Sequence, residues 1–234
     1  MPDAPIPSPW LESWRPEIDL ETQAGQLIKE VVALLPPGGR ITLFGSAPLQ
    51  ICLEASFMSE DVDCFGAPEL KRLVEDHGLG KTSRKPYAQV CDDLNFRTSP
   101  RWRDRAFTFP LEGRIVVIPH PIDILIGKLN RMEDKDLKAF QLVREKTGHP
   151  TEDDLIGELQ GAVDLFRPGF DEEATGDLKI NTRILWQAFF GHDIDVLGEI
   201  IRPALQRRKE GYAQDNPKTD YKADLAKPSP GSLP

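Results

Sequence analysis

The stretch Arg40 to Phe65 leaves this chain few ways to fold. Arg40–Phe44 is a short β-branched and apolar run that reads as a buried strand. Gly45-Ser46 follows it directly, and Pro48, tolerated in the first turn of a helix, opens a segment carrying Leu49, Ile51, Cys52 and Leu53. Ser59-Glu60-Asp61-Val62-Asp63-Cys64-Phe65 supplies the next strand. The order is therefore strand, glycine turn, helix, strand. With Val62 in a strand, Asp61 and Asp63 are two apart and project from the same face, which makes them a candidate divalent-metal site.

The remainder reads as the elements that flank this unit. Residues 1–19, rich in Pro and Trp, form an extended N-terminal arm in which Trp10 and Trp14 act as packing anchors. A helix over about Leu20–Leu35 places Leu20, Ala24, Leu27, Ile28, Val31 and Val32 at helical spacing, and Pro36-Pro37-Gly38-Gly39 ends it. Pro68–Gly78 is an amphipathic helix built on Leu70, Leu73 and Val74. Tyr87–Phe96 and Arg105–Phe109 are apolar stretches, and Arg114–Ile118 is the clearest β-rich run; Leu111-Glu112-Gly113-Arg114 turns Phe109 back towards Val116 as a hairpin.

From Pro121 onward the spacing is helical, over about 121–131, 133–147, 151–166, 174–190 and 193–212. Thr151 and Asp154 form a capping box with Asp in place of Glu, and Gly148 stops the helix before it. Residues 213–234, polar and rich in Pro and Lys, read as a disordered tail. The fold class is α/β (α+β), a mixed sheet flanked by helices, with one domain over 20–147 and a C-terminal helical region over 148–212.

A chain of 234 residues with a net charge of −9 does not suit broad, sequence-independent binding to a nucleic-acid backbone, which depends on Lys and Arg, although a local basic groove stays open. Cys52, Cys64 and Cys91 lack metal-ligand spacing and read as buried free thiols of a reducing, cytoplasmic compartment. No stretch approaches the roughly 18 apolar residues of a membrane span, and the N-terminus has no secretory pattern. His77, His120, His149 and His192 show no ligand spacing and read as surface or capping residues. Arg97, Arg101, Arg103 and Arg105 surround Trp102, either as contacts for a nucleic-acid acceptor or as a loop anchored by Trp102 and paired to the chain's excess acid.

Strand, Gly-Ser, helix, then a strand with Asp-x-Asp resembles the core of the nucleotidyltransferase superfamily, which includes polymerase-β-like enzymes and small bacterial toxin and antitoxin nucleotidyltransferases. The interval from Ser46 to Asp61 is somewhat longer than that family's. The segment His120–Phe140, with Lys128, Arg131, Lys135 and Asp136, looks like the Lys, Arg, Lys-Asp segment of the abortive-infection (AbiEii-like) toxin nucleotidyltransferases, and the resemblance spans roughly residues 20–145.

That resemblance implies a nucleotidyltransferase-like sheet, with a phosphate loop at Gly45 and Ser46 and Mg²⁺ (or Mn²⁺) held by Asp61 and Asp63. Lys128, Arg131 and Lys135 become nucleotide-binding, and Lys128 and Asp136 join the two aspartates as catalytic residues. It implies an NTP substrate, an RNA or protein hydroxyl as acceptor, and a toxin–antitoxin setting with a cognate antitoxin as partner. A glycine admits a triphosphate to the backbone, a hydroxyl and a helix N-terminus donate to phosphate oxygens, and paired carboxylates hold the cation. Lys128 and Arg131, three apart, can share a helix face, whereas Lys135 and Asp136 point about 100° apart, so that a cation reaches phosphate while Asp136 orients a neighbour or a nucleobase. The plain alternatives are a polar strand start at Asp61 and Asp63 and a solvated charged helix at Glu133-Asp-Lys-Asp136.

Active members of the family generally add a third carboxylate on a neighbouring strand, where it can serve as base. The strand expected here is Arg105–Phe109 or Arg114–Ile118, and neither carries an acid inside. Asp104, Glu112 and Asp123 flank them, Asp123 being either the substitute or an acid favoured near a helix N-terminus. A second expectation follows: a catalytically degenerate nucleotide-sensing or partner-binding module of the same fold.

Overall fold

The N-terminal arm is tied down by rings. In this computed structural model, which describes residues 8–166 and 177–215, the arm holds a short helix, α1 (Pro9–Ser13). Trp10 stacks on His149 with ring centroids 4.8 Å apart and meets His120 edge-on at 4.4 Å, while Trp14 meets His120 and Phe107 edge-on. Both tryptophans anchor the arm, as expected.

Helix α2 (Gln23–Ala33) starts later than its apolar spacing suggests, because Thr22 caps it by accepting a hydrogen bond from the Gly25 amide. Leu20 lies outside the helix and packs against Gly25 so closely that a Cβ there would come within 2.5 Å of the Leu20 backbone. Strand β1 (Arg40–Phe44) leads through Gly45 into α3 (Ala47–Cys52), then β2 (Asp61–Gly66), α4 (Leu70–Asp76) and β3 (Tyr87–Val90). The apolar stretch expected through Phe96 stops at Val90, since Asp92 and Asn95 close a reciprocal capping box around a single 3-10 turn. A helical turn, α5 (Trp102–Arg105), precedes β4 (Phe107–Leu111), so the strand begins two residues later than Arg105.

Strand β5 (Arg114–Ile118) pairs antiparallel with β4, with Phe109 opposite Val116 and Leu111 opposite Arg114. Glu112 and Gly113, at φ 50° and 74°, supply the two positive φ values that a tight hairpin turn requires. The five-stranded sheet has the order β3-β2-β1-β5-β4 and is mixed: β1 is antiparallel to β2 and parallel to β5, and β2 is parallel to β3. This is the α/β sheet flanked by helices that the sequence leads one to expect.

Alternation along the strands gives the sheet two different faces. Ile41, Leu43, Val62, Cys64, Ala88, Val116 and Ile118 form one buried core with Leu27, Ile28, Val31 and Val32 of α2 and Leu70 and Val74 of α4. The other face carries an aromatic cluster of Phe44, Phe65, Phe96 and Trp102, packed with Val117. A second large core begins at α6 (Pro121–Lys128) and takes in α7 (Asp134–Thr147), α8 (Glu152–Gly161) and α9 (Leu178–Leu185), with Phe140 and Trp186 at its centre.

Gly148 ends α7 at φ 76°, and Thr151 and Asp154 cap α8 reciprocally. Helix α9 runs on into a π-helical turn at Trp186–Phe190, and a second such turn at Val196–Ile201 leads into α10 (Arg202–Asp215). The helix thus passes through Gly211 to Asp215, and the remainder of the expected tail, 216–234, lies outside the described residues, as do 1–7 and 167–176. Among the described residues no helix is long and apolar enough to cross a membrane.

Candidate functional site

The burial of β2 alternates, with Val62 and Cys64 turned into the core, so Asp61 and Asp63 both face the opposite side. They open onto a cleft of about 870 Å³ that is also lined by Gly45, Ser46, Ser59, Lys128, Arg131 and Lys135. Of the eight residues the resemblance assigns to the site, Asp136 alone does not line this cleft. It is fully buried behind it.

Gly45 sits at φ 68°, and a Cβ placed on it would lie 2.3 Å from Asp63 Oδ2. The turn therefore needs glycine for its backbone conformation and for the carboxylate that packs against it. The space a side chain would take at this turn is filled by Asp63. Ser46 stands where a helix cap would, yet its side chain makes no cap. Its Oγ accepts a hydrogen bond from Lys128 Nζ at 3.0 Å instead.

Helix α6 ends at Lys128, so Arg131 belongs to the following turn rather than to the same helix face as expected. Asp136 brings the two together. Its carboxylate accepts from Lys128 Nζ at 3.2 Å, from Arg131 Nε and Nη2 at 3.2 and 3.1 Å, and from the Glu133 amide at 3.0 Å, which also caps α7. Asp136 thus braces two cations from behind the cleft. Lys135, one position earlier on α7, points outward as the helical geometry requires and pairs loosely with Glu133 at 3.4 Å.

Charge in the cleft is divided. Burial, and then the neighbouring Asp61 charge, push Asp63 up to about 6, with Lys128, Arg131 and Lys135 opposing the rise. Burial pulls Lys128 below the usual lysine range against the pull of Asp136. Asp136 itself stays below the usual carboxylate range: burial opposes its charge, and the Arg131 hydrogen bonds and the Lys128 charge outweigh that.

Two like charges on one strand face suit a hard divalent cation, and Mg²⁺ is commonly held by one or two carboxylates together with substrate phosphates. Asp61 and Asp63 fit that pattern. Among the described residues no set of three or more His, Cys, Asp or Glu side chains gathers for a metal, so the pair does not form an all-protein cage.

The neighbouring strand is not the one foreseen. β5 pairs with β1, and the strand beside β2 is β3, which sets Tyr87 against Asp61 and Gln89 against Asp63. No carboxylate stands at either register. Asp123 is not a substitute: it is fully buried, bound by Arg105 Nε and Nη2 at 2.7 Å each, and accepts from Thr98 Oγ1. Asp104 borders a separate cavity of about 360 Å³, with Arg15 and Arg101, and Glu112 sits in the hairpin turn.

The arginine cluster separates into different roles. Arg105 bridges Asp123 and Glu158 in the interior, Arg103 lies 4.4 Å over the buried Trp102 ring and 3.7 Å from Asp93, and Arg97 and Arg101 remain exposed. Histidine behaves as expected at the cap of α6, where His120 Nδ1 accepts from the Ile122 amide and Nε2 donates to the Trp10 carbonyl, although it is buried. Cys64 is buried, while Cys52 and Cys91 are only partly so.

Sequence reasoning missed several cleft residues: Ser59, Tyr87, Asn95, Phe96 and Lys138. Lys138 was findable, being three residues from Lys135 on the same helix. Ser59 was also findable, two residues before Asp61. Tyr87 and Asn95 come from a strand and a turn whose place beside β2 no local pattern announces.

The fold and the cleft define a mixed α/β protein whose sheet presents an acidic pair to a braced set of cations. Comparison with protein-family models, with curated proteins and with solved structures finds no match.

Proposed function

We propose that the cleft binds a nucleoside triphosphate with Mg²⁺ or Mn²⁺ and transfers its nucleotidyl group to a hydroxyl of RNA or protein, as a cytoplasmic toxin–antitoxin component. The observation that carries this reading is the convergence of Asp61 and Asp63 with Ser46, Lys128 and Arg131 on one cleft, although they come from three separate parts of the chain. A bound divalent cation would supply charge neutralisation and polarisation at the phosphate. Asp61 and Asp63 hold it, the Ser46 hydroxyl and the Gly45 turn border the phosphates, and Lys128 and Arg131 offset the charge that grows on departing pyrophosphate. Asp136 keeps both cations aimed without contacting the nucleotide.

Incubating the chain with α-labelled NTPs, Mg²⁺ and total RNA or a lysate is expected to give label transfer that Asp61→Ala and Asp63→Ala abolish. Tyr87 and Gln89 at the strand positions beside the two acids favour a second reading, a nucleotide-sensing or partner-binding module without transfer. Calorimetric NTP binding with no transfer to any acceptor selects that second reading; no binding of NTP or Mg²⁺ sinks both.

A further inference from the structure

Ser59, in the loop ahead of β2, already rests its hydroxyl on one of the two cleft aspartates. Ser59 donates its Oγ hydrogen to Asp61 Oδ1 at 2.8 Å, the distance at which a carboxylate can take a proton from a nucleophile. Both side chains line the cleft that holds Lys128 and Arg131. Among the described residues no hydrogen bond reaches Asp61 Oδ2, which leaves that oxygen for a cation.

The other cleft hydroxyls are engaged differently. Ser46 Oγ receives a hydrogen from the Lys128 ammonium, which draws on its lone pairs, and Ser56 Oγ donates to the carboxylate of Glu54, a residue that does not line the cleft. Tyr87, opposite Asp61 in the strand register, makes no hydrogen bond to Asp61 or Asp63. An acceptor arriving from solvent meets Tyr87 and Gln89 where a second base would stand. Ser59 arrives with its base attached.

We propose that this protein nucleotidylates itself on Ser59. With a nucleoside triphosphate in the cleft, Ser59 Oγ attacks the α-phosphorus and its proton passes to Asp61. The new Oγ–P bond forms as the bond from the α-phosphorus to the α,β-bridging oxygen breaks, and pyrophosphate leaves beside Lys128 and Arg131. Nothing is oxidised or reduced. The product is a phosphodiester joining Ser59 to a nucleoside monophosphate, and its nucleotide stays in the cleft and blocks a second one. The inference rests on the nucleotide-binding reading above and names a substrate for it, the chain's own loop ahead of β2.

The test uses the full chain with Mg²⁺ and each NTP in turn, with no added acceptor, followed by intact mass, peptide fragmentation and calorimetry. The expected result is a gain of one nucleoside monophosphate per chain, mapped to Ser59, retained from α-labelled and not from γ-labelled NTP. Ser59→Ala loses the label and Ser59→Thr, which keeps a hydroxyl, restores it. The modified chain no longer binds NTP in calorimetry. NTP binding by the unmodified chain with no mass gain overturns self-modification while leaving nucleotide binding intact. Label on another residue, or retention of the γ-phosphate, overturns it as well, and absence of NTP binding overturns both readings.

Discussion

Replacing Gly45 with alanine adds one methyl group where β1 turns into α3, and it acts in two separable ways. The residue sits at φ 68°, where a side chain costs about 1–2 kcal/mol. The methyl carbon also falls 2.3 Å from Asp63 Oδ2, 3.2 Å from its Cγ and 3.3 Å from its Cβ. The carboxylate has to swing off its favoured rotamer, a further cost of roughly 0.5–1.5 kcal/mol.

The sum is a loss of about 1.5–3.5 kcal/mol from Gly45→Ala alone. In an Asp63→Ala background the carboxylate is gone and only the backbone cost persists, so the same substitution costs about 1 kcal/mol less there. Urea unfolding of the four proteins, extrapolated linearly to water, measures the difference. Equal losses in both backgrounds, to within about 0.3 kcal/mol, would refute the argument, as would the slight stabilisation that Gly→Ala gives at an unstrained site. Nucleotide binding supplies a second readout: Gly45→Ala is expected to weaken Mg²⁺-dependent NTP binding much as Asp63→Ala does, although it removes no polar group.

Asp136→Asn leaves the buried Lys128 without its counter-charge, and it is expected to lower stability by about 3–5 kcal/mol and NTP affinity with it, read by urea unfolding and calorimetry. An unchanged unfolding midpoint would show that Lys128 is not held by Asp136. Arg105→Met strands Asp123 and Glu158 together in the interior and should cost about 3–5 kcal/mol at neutral pH, with much of the loss recovered by the additional change Asp123→Asn. Burial holds His120 near pH 3 against 6.5 when unfolded, with the Trp10 carbonyl, Arg105, Glu158 and Asp154 acting on it more weakly. Between those values only the unfolded chain takes up the proton at His120, so the His120 contribution to stability is lost as pH falls below 6.5, by about 2 kcal/mol at pH 5, against an opposite contribution from the raised Asp63. His120→Asn, which keeps a capping acceptor and does not titrate there, should flatten that part of the wild-type profile, and parallel profiles would refute the assignment.

Local order was legible wherever one short pattern dictated it. The hairpin at Glu112-Gly113 came out in the expected register because two turn residues at positive φ match the twist of the flanking strands. The shared face of Asp61 and Asp63 followed from the two-residue period of a strand, and the cap at Thr151 and Asp154 from their spacing. Helix ends were less legible. Thr22 rather than Leu20 starts α2, and α6 stops at Lys128, because caps and tertiary contacts fix the ends while apolar periodicity marks only the middle.

Sequence alone therefore determined the strand–turn–helix–strand unit, the outward pair of aspartates and the helical second half, all of which depend on residues close together in the chain. Tertiary structure decided which strand lies beside that pair. Pairing of β2 with β3 put Tyr87 and Gln89 there, and the ion pair with Arg105 withdrew Asp123 into the core. It also decided that Gly45 makes room for Asp63, that Asp136 braces Lys128 and Arg131 from behind the cleft, and that Ser59 rests on Asp61. Sheet order and buried charge pairing join residues far apart in sequence, and no local periodicity encodes the partner that each will meet.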